Sequence, residues 1–278
     1  MSGFRVREYM IKTPKLEKKR PLRIAFLADL HGVCHGEDSA CLLDAIAAGH
    51  PDLVICAGDM IVRNRVESLH TAQTLLLKLA EQFPVFLGPG NHESRMRYPK
   101  HEDFRKNNFF EMQTAYAEYE ETLKNSGVHL LCNEHARFEA GDIVLDIASL
   151  ELDLVYYGKP FAPFLRQKTI QDLAGIPGDG VTDADLTLLI AHNPRFARAY
   201  FKWGADLIFS GHYHGGVVRF SEHVCLVSPQ FIPFPGYGCG VFHRSDQHLF
   251  VSPGLGEHTI PFRIHNPREL FIIQVTGE

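Results

Sequence analysis

The amino-acid sequence predicts an α/β fold, and three observations support this prediction. Residues 23–28 and 53–57 are short, continuously apolar segments, which are typical of strands covered on both faces. Residues 40–48 lie between them and have helical character, so the three segments together predict a βαβ unit. Beyond Val128 the pattern changes to short segments of roughly alternating polarity, which are typical of hairpins. The chain therefore combines a parallel α/β part with a second sheet.

The alternation of strands and helices continues along the chain. Apolar residues at steps of three and four predict an amphipathic helix that ends near Gly127 and packs its apolar stripe into the core. The stripe consists of Phe109, Met112, Tyr116, Tyr119 and Leu123. The other predicted elements are a helix over residues 68–82, strands over 85–87, 186–191 and 206–210, and a helix over 195–203.

Length and composition favour one large domain. With 278 residues, of which 45% are apolar and 22% charged, the chain can bury a substantial core. We predict one domain over residues 1–278, in which residues 1–22 form an N-terminal extension or strand and residues 217–278 complete the domain with β-structure. The formal net charge of -5 gives no support for binding to nucleic acid or to an anionic membrane.

The sequence also bears on the compartment. Six cysteines are scattered without CxxC spacing, and the N-terminus lacks the apolar core of about 7–15 residues that a signal peptide requires. No window reaches the roughly 20 apolar residues of a membrane span. We therefore expect reduced thiols, no transmembrane segment and a cytoplasmic location.

Five short runs of metal-binding residue types occur in order along the chain. Each run lies at or just after a strand-like segment, and parallel strands bring such loops together over one edge of a sheet. Any single run also fits an ordinary turn, a cap or a packed histidine, but the ordered set of five favours a metal centre. The runs are Asp29-Leu-His31, Gly58-Asp59, Gly90-Asn91-His92-Glu93, Ala191-His192 and Gly211-His212-Tyr213-His214-Gly215-Gly216.

The residue types in these runs indicate which metals they suit. Aspartate, asparagine and histidine without cysteine form a borderline-hard set of oxygen and nitrogen ligands. Such a set suits Mn, Fe, Zn, Co or Ni better than Ca, and we expect two divalent transition-metal ions, with Mn as the first candidate. Two aspartates neutralise only half of the charge of two divalent ions, so the centre would stay positive and attract a phosphate.

The order of these motifs resembles that of the calcineurin-like metallophosphoesterase superfamily, whose motifs run D-x-H, G-D, G-N-H-[DE], H and G-H-x-H. The resemblance covers residues 24–216, and no motif position is missing. It implies a fold of two mixed β-sheets packed face to face as a sandwich flanked by α-helices. The ending, between Val251 and Leu270, is similar to that of bacterial phosphodiesterase-type members, which favours phosphodiesters over monoesters.

The resemblance also implies a role for each motif residue. Asp59 would bridge the two ions, and His92, which is not a ligand in the family, would lie near the leaving-group oxygen. The ligands of one ion would be Asp29, His31, Asp59 and His214, and those of the other Asp59, Asn91, His192 and His212.

This arrangement predicts a mechanism of hydrolysis. Metal binding can lower the pKa of water from about 15.7 to about 7, which makes hydroxide available near neutral pH. We predict that a metal-bound hydroxide attacks phosphorus in line, without a covalent enzyme intermediate. His92 would protonate or hydrogen-bond the departing alkoxide, a contribution of about 10²–10⁴-fold in rate.

Basic residues near the motifs are candidates for substrate contact. Residues 94–106 carry five Lys or Arg and begin at the centre, so Arg95 or Arg97 could clamp a substrate phosphate. Arg63 and Arg65, after the second motif, allow the same hypothesis. The alternative in each case is an ordinary solvated loop.

Other residues near the motifs have two interpretations. His35 is expected to lie on the surface, with metal ligation as the alternative. Two aromatic loops could receive a nucleobase or an acyl chain, or could pack under their own backbone. Their residues are Tyr156, Tyr157, Phe161 and Phe164 in one loop and Phe231, Phe234 and Tyr237 in the other.

The function predicted from the sequence is metal-dependent hydrolysis of a phosphodiester. The alternatives are a phosphomonoesterase, a nucleotide-lipid pyrophosphatase and, from a different class, a non-catalytic metal-stabilised interaction module. The expected partner is a small-molecule or lipid phosphate ester, and no specific nucleic-acid binding is predicted. The sequence does not indicate the oligomeric state.

Overall fold

The computed structural model describes residues 3–105, 108–158, 182–257 and 263–278. Within these ranges the chain forms two mixed β-sheets of six strands each. The strands are β1 (Phe4–Lys12), β2 (Leu22–Leu27), β3 (Leu53–Ala57), β4 (Val85–Gly88), β5 (Val128–Leu130), β6 (His135–Ala140), β7 (Ile143–Leu150), β8 (Leu186–Ala191), β9 (Leu207–Ser210), β10 (Gly240–Arg244), β11 (Gln247–Val251) and β12 (Arg268–Thr276).

Both sheets have a parallel centre and antiparallel pairings towards their edges. The first sheet has the order β1-β12-β2-β3-β4-β5, and only the pairing of β12 with β2 is antiparallel. The second has the order β10-β11-β9-β8-β7-β6, in which β11, β9, β8 and β7 are parallel and both outer strands are antiparallel. The predicted fold class of two mixed sheets is confirmed.

Helices cover the outer faces of the sheets. The described α-helices are α1 (Ala40–Ala48), α2 (Val66–Ala80), α3 (Asn91–Arg97), α4 (Phe109–Asn125) and α5 (Ala197–Trp203). Apolar residues of α1, α2 and α4 pack on the first sheet, and those of α5 pack on the second. None of the described helices is long and apolar enough to cross a membrane.

A third apolar cluster fills the space between the two sheets. It joins residues of β2, β3 and β12 with residues of β7, β8 and β9, and its members are almost fully buried. Phe26 of β2 meets Phe209 of β9 edge to face, with ring centroids 5.1 Å apart. Because the sheets pack in this way, the carboxyl ends of their parallel strands lie at one common edge.

The sequence-based elements match the structure except in two places. Residues 91–97 form α3 rather than a loop, because Glu93 accepts the backbone N–H of Gly90 at the start of the helix. The helix ends before Pro99, which restricts the residue in front of it. The N-terminal segment, for which an extension or a strand is predicted, contains edge strand β1, paired along its whole length with β12.

Candidate metal centre

The predicted ligand residues lie in loops at the common edge of the two sheets. Those from the first sheet follow β2 and β3 or begin α3 after β4, and those from the second follow β8 and β9. The first group is Asp29, His31, Asp59 and Asn91, and the second is His192, His212 and His214.

One cluster contains Asp29, His31 and His214. The Nε2 atoms of the two histidines are 3.1 Å apart, and His214 Nε2 lies 3.4 Å from Asp29 Oδ1. One donor atom from each of the three residues lies within 4.8 Å of the others. Three donors that converge so closely fit a cation between them.

A second cluster contains Asp59, His192 and His212. Their donor atoms also lie within 4.8 Å of one another, and His192 Nε2 is 3.1 Å from Asp59 Oδ2. The same Asp59 oxygen is 3.8 Å from His31 Nε2 in the first cluster. Asp59 is therefore the carboxylate that lies between the two clusters.

Asn91 adds an oxygen donor that lacks a partner. Its side-chain Oδ1 is buried, and within the described part of the chain it has no hydrogen-bond partner. A buried carbonyl oxygen without a partner is costly. A bound cation would satisfy this atom, so Asn91 and the two clusters fit a metal centre by their chemistry.

The backbone at the centre is held in a conformation that non-glycine residues rarely adopt. Five of the predicted ligand residues have positive φ angles between 48° and 66°. They are Asp29, His31, Asp59, His212 and His214. Left-handed backbone at residues with side chains stores strain and concentrates at functional sites. The strained residues coincide with the motifs, which supports a functional role for this edge.

Two glycines of the motifs allow their loops to approach closely. A Cβ atom at Gly58 would lie 2.2 Å from Gly90 N, and φ at Gly58 is +78°. A Cβ atom at Gly90 would lie 2.3 Å from Asp59 Oδ1. Larger residues would push the second and third motif loops apart, so both motifs require glycine next to the donor residue.

Hydrogen bonds behind the donor atoms fix their positions. Glu93 is buried, and its carboxylate accepts the backbone N–H groups of Asp59, Met60 and Gly90 at 2.8–3.0 Å. His192 donates from Nδ1 to the carbonyl of Ala57 at 2.6 Å, which leaves Nε2 facing the centre. Such second contacts orient metal ligands.

A further hydrogen bond joins the two halves of the centre. The backbone N–H of His212 donates to the Asp29 carboxylate, 2.9 Å from Oδ2. Asp29 follows β2 of the first sheet and His212 follows β9 of the second. This contact therefore couples the positions of the two sheets at their common edge.

The electrostatics reflect two buried carboxylates among histidines. Burial raises the pKa of Asp29 to about 8, and the neighbouring Asp59 carboxylate adds to this effect while His192 opposes it. Burial would also raise the pKa of Asp59, but the charges of His192, His92 and His31 hold it well below its usual range. Burial opposes protonation of His192, yet Asp59 outweighs it and raises the pKa of His192 to about 9.

His92 lies beside the clusters and has a defined tautomer. A side-chain nitrogen of His92 lies within 4.8 Å of donor atoms of His31 and Asp59. The backbone N–H of Arg63 donates to His92 Nδ1 at 3.0 Å, so in the neutral ring the proton is on Nε2. Burial lowers the pKa of His92, which Asp59 partly opposes, so the ring favours its neutral form.

The structure does not support the phosphate-clamp hypothesis for Arg95 and Arg97. Arg95 is buried, and it donates to Asp103 and Glu102, in each case at 2.5 Å. Arg97 donates to Glu120 at 2.7 Å and to Glu151 at 2.9 Å. Both guanidinium groups are held by carboxylates that follow later in the chain.

Arg63 differs from those two residues. Its side chain is exposed, and among the described residues it forms no ion pair. Its backbone N–H contacts His92, so the residue belongs to the border of the centre.

His35 is neither a surface residue nor part of the described clusters. It is buried, its Nε2 is 2.9 Å from the carbonyl of Leu255, and its ring packs edge to face on Phe4. The expectation of a surface histidine is therefore wrong, because β1 and the segment after β11 cover this loop.

The two aromatic loops differ in exposure. Tyr157 meets the ring of His212 edge to face at 5.0 Å, so it borders the centre, whereas Phe161 and Phe164 lie outside the described residues. Phe231 and Phe234 are more than half exposed.

Sequence reasoning missed three buried residues that touch the centre. Gln230 contacts His212, Asn266 donates to the backbone oxygen of His214 at 2.6 Å, and Arg263 lies 3.4 Å from His214 Nδ1. All three lie beyond the last motif, in segments without periodicity or a recognisable pattern. Glu93 was visible as the last residue of the third motif, but its contacts with three backbone groups were not.

Together, the two sheets and the converging loops define a metal-dependent hydrolase centre. A model of the family described as calcineurin-like phosphoesterase matches residues 22–216. The chain therefore belongs to the calcineurin-like phosphoesterase family and is a metal-dependent phosphohydrolase.

Individual proteins show the same similarity. The chain is 27% identical to a protein named phosphodiesterase YaeI from Escherichia coli K12, over 85% of this chain and 76% of that protein. It is 24% identical to UDP-2,3-diacylglucosamine pyrophosphatase LpxG from Chlamydia muridarum, over 92% of this chain and 84% of that protein. Among solved structures, TT1561 of Thermus thermophilus superposes with a TM-score of 0.48 at 10% identity, over 86% of this chain and 92% of that one.

Proposed function

We propose that this protein hydrolyses a phosphodiester at a centre of two divalent metal ions. The observation that carries the proposal is the position of Asp59 between two donor clusters, 3.1 Å from His192 Nε2 and 3.8 Å from His31 Nε2. One shared carboxylate between two sets of donors suits a pair of ions. Mn²⁺ is the ion to test first, because the donors are nitrogen and oxygen atoms without sulfur.

The residues that would hold the ions fall into two sets with Asp59 in common. Divalent cations bound there supply Lewis-acid activation of water and neutralise charge on the phosphate. The first set is Asp29, His31, Asp59 and His214, and the second is Asp59, Asn91, His192 and His212.

We assign proton donation to His92. Because Arg63 N–H occupies Nδ1, the neutral ring has its proton on Nε2 and can donate it to a departing alkoxide. A neutral donor is already in the correct state near pH 7, since burial keeps the pKa of His92 low. The backbone of Arg63 thus orients the group that assists the leaving oxygen.

We assign substrate binding to the Arg63 side chain in place of Arg95 and Arg97. Its guanidinium is exposed next to His92, and no carboxylate among the described residues neutralises it. A free guanidinium can form paired hydrogen bonds with phosphate oxygens. Arg63 would therefore contact a phosphate oxygen on the leaving-group side.

The preference for a diester rests on similarity rather than on geometry. A relative at 27% identity is named a phosphodiesterase, and one at 24% is named a pyrophosphatase of a nucleotide-linked lipid. The pyrophosphatase is the second candidate, because it too breaks a bond to a phosphorus atom that carries two ester or anhydride links. The cytoplasmic location stays a prediction, supported by six free cysteines.

Turnover of three substrates on one metal-loaded preparation tests this proposal. We expect hydrolysis of an aryl phosphodiester with Mn²⁺, slower hydrolysis of the matching monoester, and none after chelation. Faster turnover of a nucleotide-lipid pyrophosphate than of the diester would favour the second candidate. Binding of metal without turnover of any phosphate ester would contradict an enzymatic role.

A further inference from the structure

Gln230 lies behind the second donor cluster. It belongs to the segment between the last motif and β10, and only 2% of the residue is exposed. Its side-chain amide lies 2.5 Å from His212 Nε2. Within the described part of the chain, its Oε1 is buried and has no hydrogen-bond partner. A buried amide with one unused oxygen beside a histidine ring calls for an explanation.

The two orientations of this amide have different consequences. If the amide nitrogen faces His212, it donates to Nε2, the neutral ring has its proton on Nδ1, and the amide oxygen stays without a partner. If the oxygen faces His212, it accepts a proton from Nε2, and both groups are satisfied. The second orientation leaves the lone pair of Nδ1 available to a cation.

We propose that Gln230 is a positioning residue that accepts a hydrogen bond from His212 Nε2–H and thereby presents His212 Nδ1 as a metal donor. The inference rests on the proposed metal centre and adds a residue to it. It matches the neighbouring His192, whose Nδ1 donates to a backbone carbonyl and whose Nε2 faces Asp59. Both histidines of the second cluster would thus be fixed through their far nitrogen.

Other contacts leave the amide as the group that selects the tautomer. The backbone N–H of His212 donates to Asp29, and its ring meets Tyr157 edge to face. These contacts position the main chain and the plane of the ring. Neither contact reaches the ring nitrogen that faces Gln230.

The first test compares Gln230→Met with Gln230→Glu. Methionine retains the length of the side chain and removes the acceptor, whereas glutamate retains an acceptor oxygen. We expect Gln230→Met to weaken one of two bound ions by about 10–100-fold, leave the other unchanged, and raise Km little compared with the fall in kcat. Gln230→Glu should retain the affinity of both ions. The measurement is competition with a chelator, together with the number of ions bound.

A matched control is Gln247→Met. Gln247 also donates from its amide, to the carbonyls of Phe201 and Ala205, but it lies on β11 away from the donor clusters. Its substitution should leave both metal affinities unchanged. Wild-type affinity for both ions in Gln230→Met, or equal losses in the Met and Glu variants, would overturn the proposal.

A second measurement on the wild-type protein does not depend on how a variant folds. In protein loaded with Zn²⁺, long-range ¹H–¹⁵N correlation of the imidazoles should show His212 with its proton on Nε2. A proton on Nδ1 would overturn the inference even if two ions bind. Wild-type protein that binds fewer than two ions would instead overturn the proposed centre, and Gln230 with it.

Discussion

The two sheets contribute different chemistry to the centre. Loops of the first sheet supply both aspartates and the asparagine, so every oxygen donor and all of the negative charge come from there. Loops of the second sheet supply only histidines, which are His192, His212 and His214. The charge of the centre is therefore set by one sheet, and its closure depends on the other.

This difference explains the titration behaviour of the metal-free protein. The two buried aspartates lack a cation, and His192 from the opposite sheet compensates with a pKa raised to about 9 by Asp59 despite its burial. The pKa of Asp29 rises to about 8 because burial and Asp59 both disfavour its charge. Protons thus occupy the centre in the absence of metal, and bound cations would replace them.

Loss of the carboxylate between the clusters should have the largest effect. We expect Asp59→Ala to reduce both bound metal and phosphodiester turnover to background, because one oxygen donor is lost from each set. Metal analysis and turnover provide the measurement, with the exposed Asp38→Ala as the control. The variant should also be more thermostable than the wild type in chelator, since it removes one of two buried charges. Retention of two ions would show that the sheets share no ligand.

The next largest effect should come from His92. We expect His92→Ala to slow hydrolysis of a diester with a poor leaving group by about 10²–10⁴-fold, while an ester with a good leaving group is affected less. Metal content should stay unchanged, because His92 is assigned to proton donation. The exposed His70→Ala serves as the control. Equal losses on both esters would contradict a role at the leaving oxygen.

Glu93 tests whether hydrogen bonds behind the first-sheet donors matter. In Glu93→Gln one amide N–H would face a backbone N–H, so the loop around Asp59 should shift. We expect metal affinity to fall by about 10–100-fold, measured by chelator competition. The exposed Glu118→Gln on α4 should show no change. An unchanged affinity would mean that the motif loop holds its shape without this carboxylate.

The arginines of the first sheet separate substrate contact from structure. Arg63→Ala should raise Km about tenfold, since a hydrogen bond to a charged group contributes about 1.5–3 kcal/mol. Arg95→Met should lower the melting temperature with little change in Km, because it leaves the buried Asp103 without its partner. The reverse pattern would return the clamp to Arg95.

The smallest effect concerns the stability of the metal-free protein against pH. Its folded state binds more protons than the unfolded chain, because the pKa of His192 rises from 6.5 to about 9 and that of Asp29 from 3.8 to about 8. The free energy of unfolding should therefore fall as pH rises from 6.5 to 9 in chelator. Metal-loaded protein should show less of this loss. A melting temperature in chelator that rises over the same range would contradict the assignment of these protons.

Much of the fold was predictable because its signals are local. Strands β2 and β3 are continuously apolar since both of their faces are covered, and α4 has an apolar stripe that meets the first sheet. The pairing of β1 with β12 joins the two ends of the chain, and no local pattern encodes such a contact.

The candidate site was predictable in its residues but not in its contacts. The ligand types occur in short motifs, so Asp59 and His214 could be identified without a structure. The ion pair of Arg95 with Asp103 depends on how the chain turns after α3. Gln230 reaches His212 only because the segment after the last motif folds back over the centre.

The position of bound metal tests the account most directly. Crystals soaked in Mn²⁺, with anomalous diffraction recorded at the manganese edge, should show two ions with an oxygen of Asp59 bound to both and histidines of the second sheet on each. A single ion, or two ions of which Asp59 contacts only one, would contradict a centre built on one shared carboxylate.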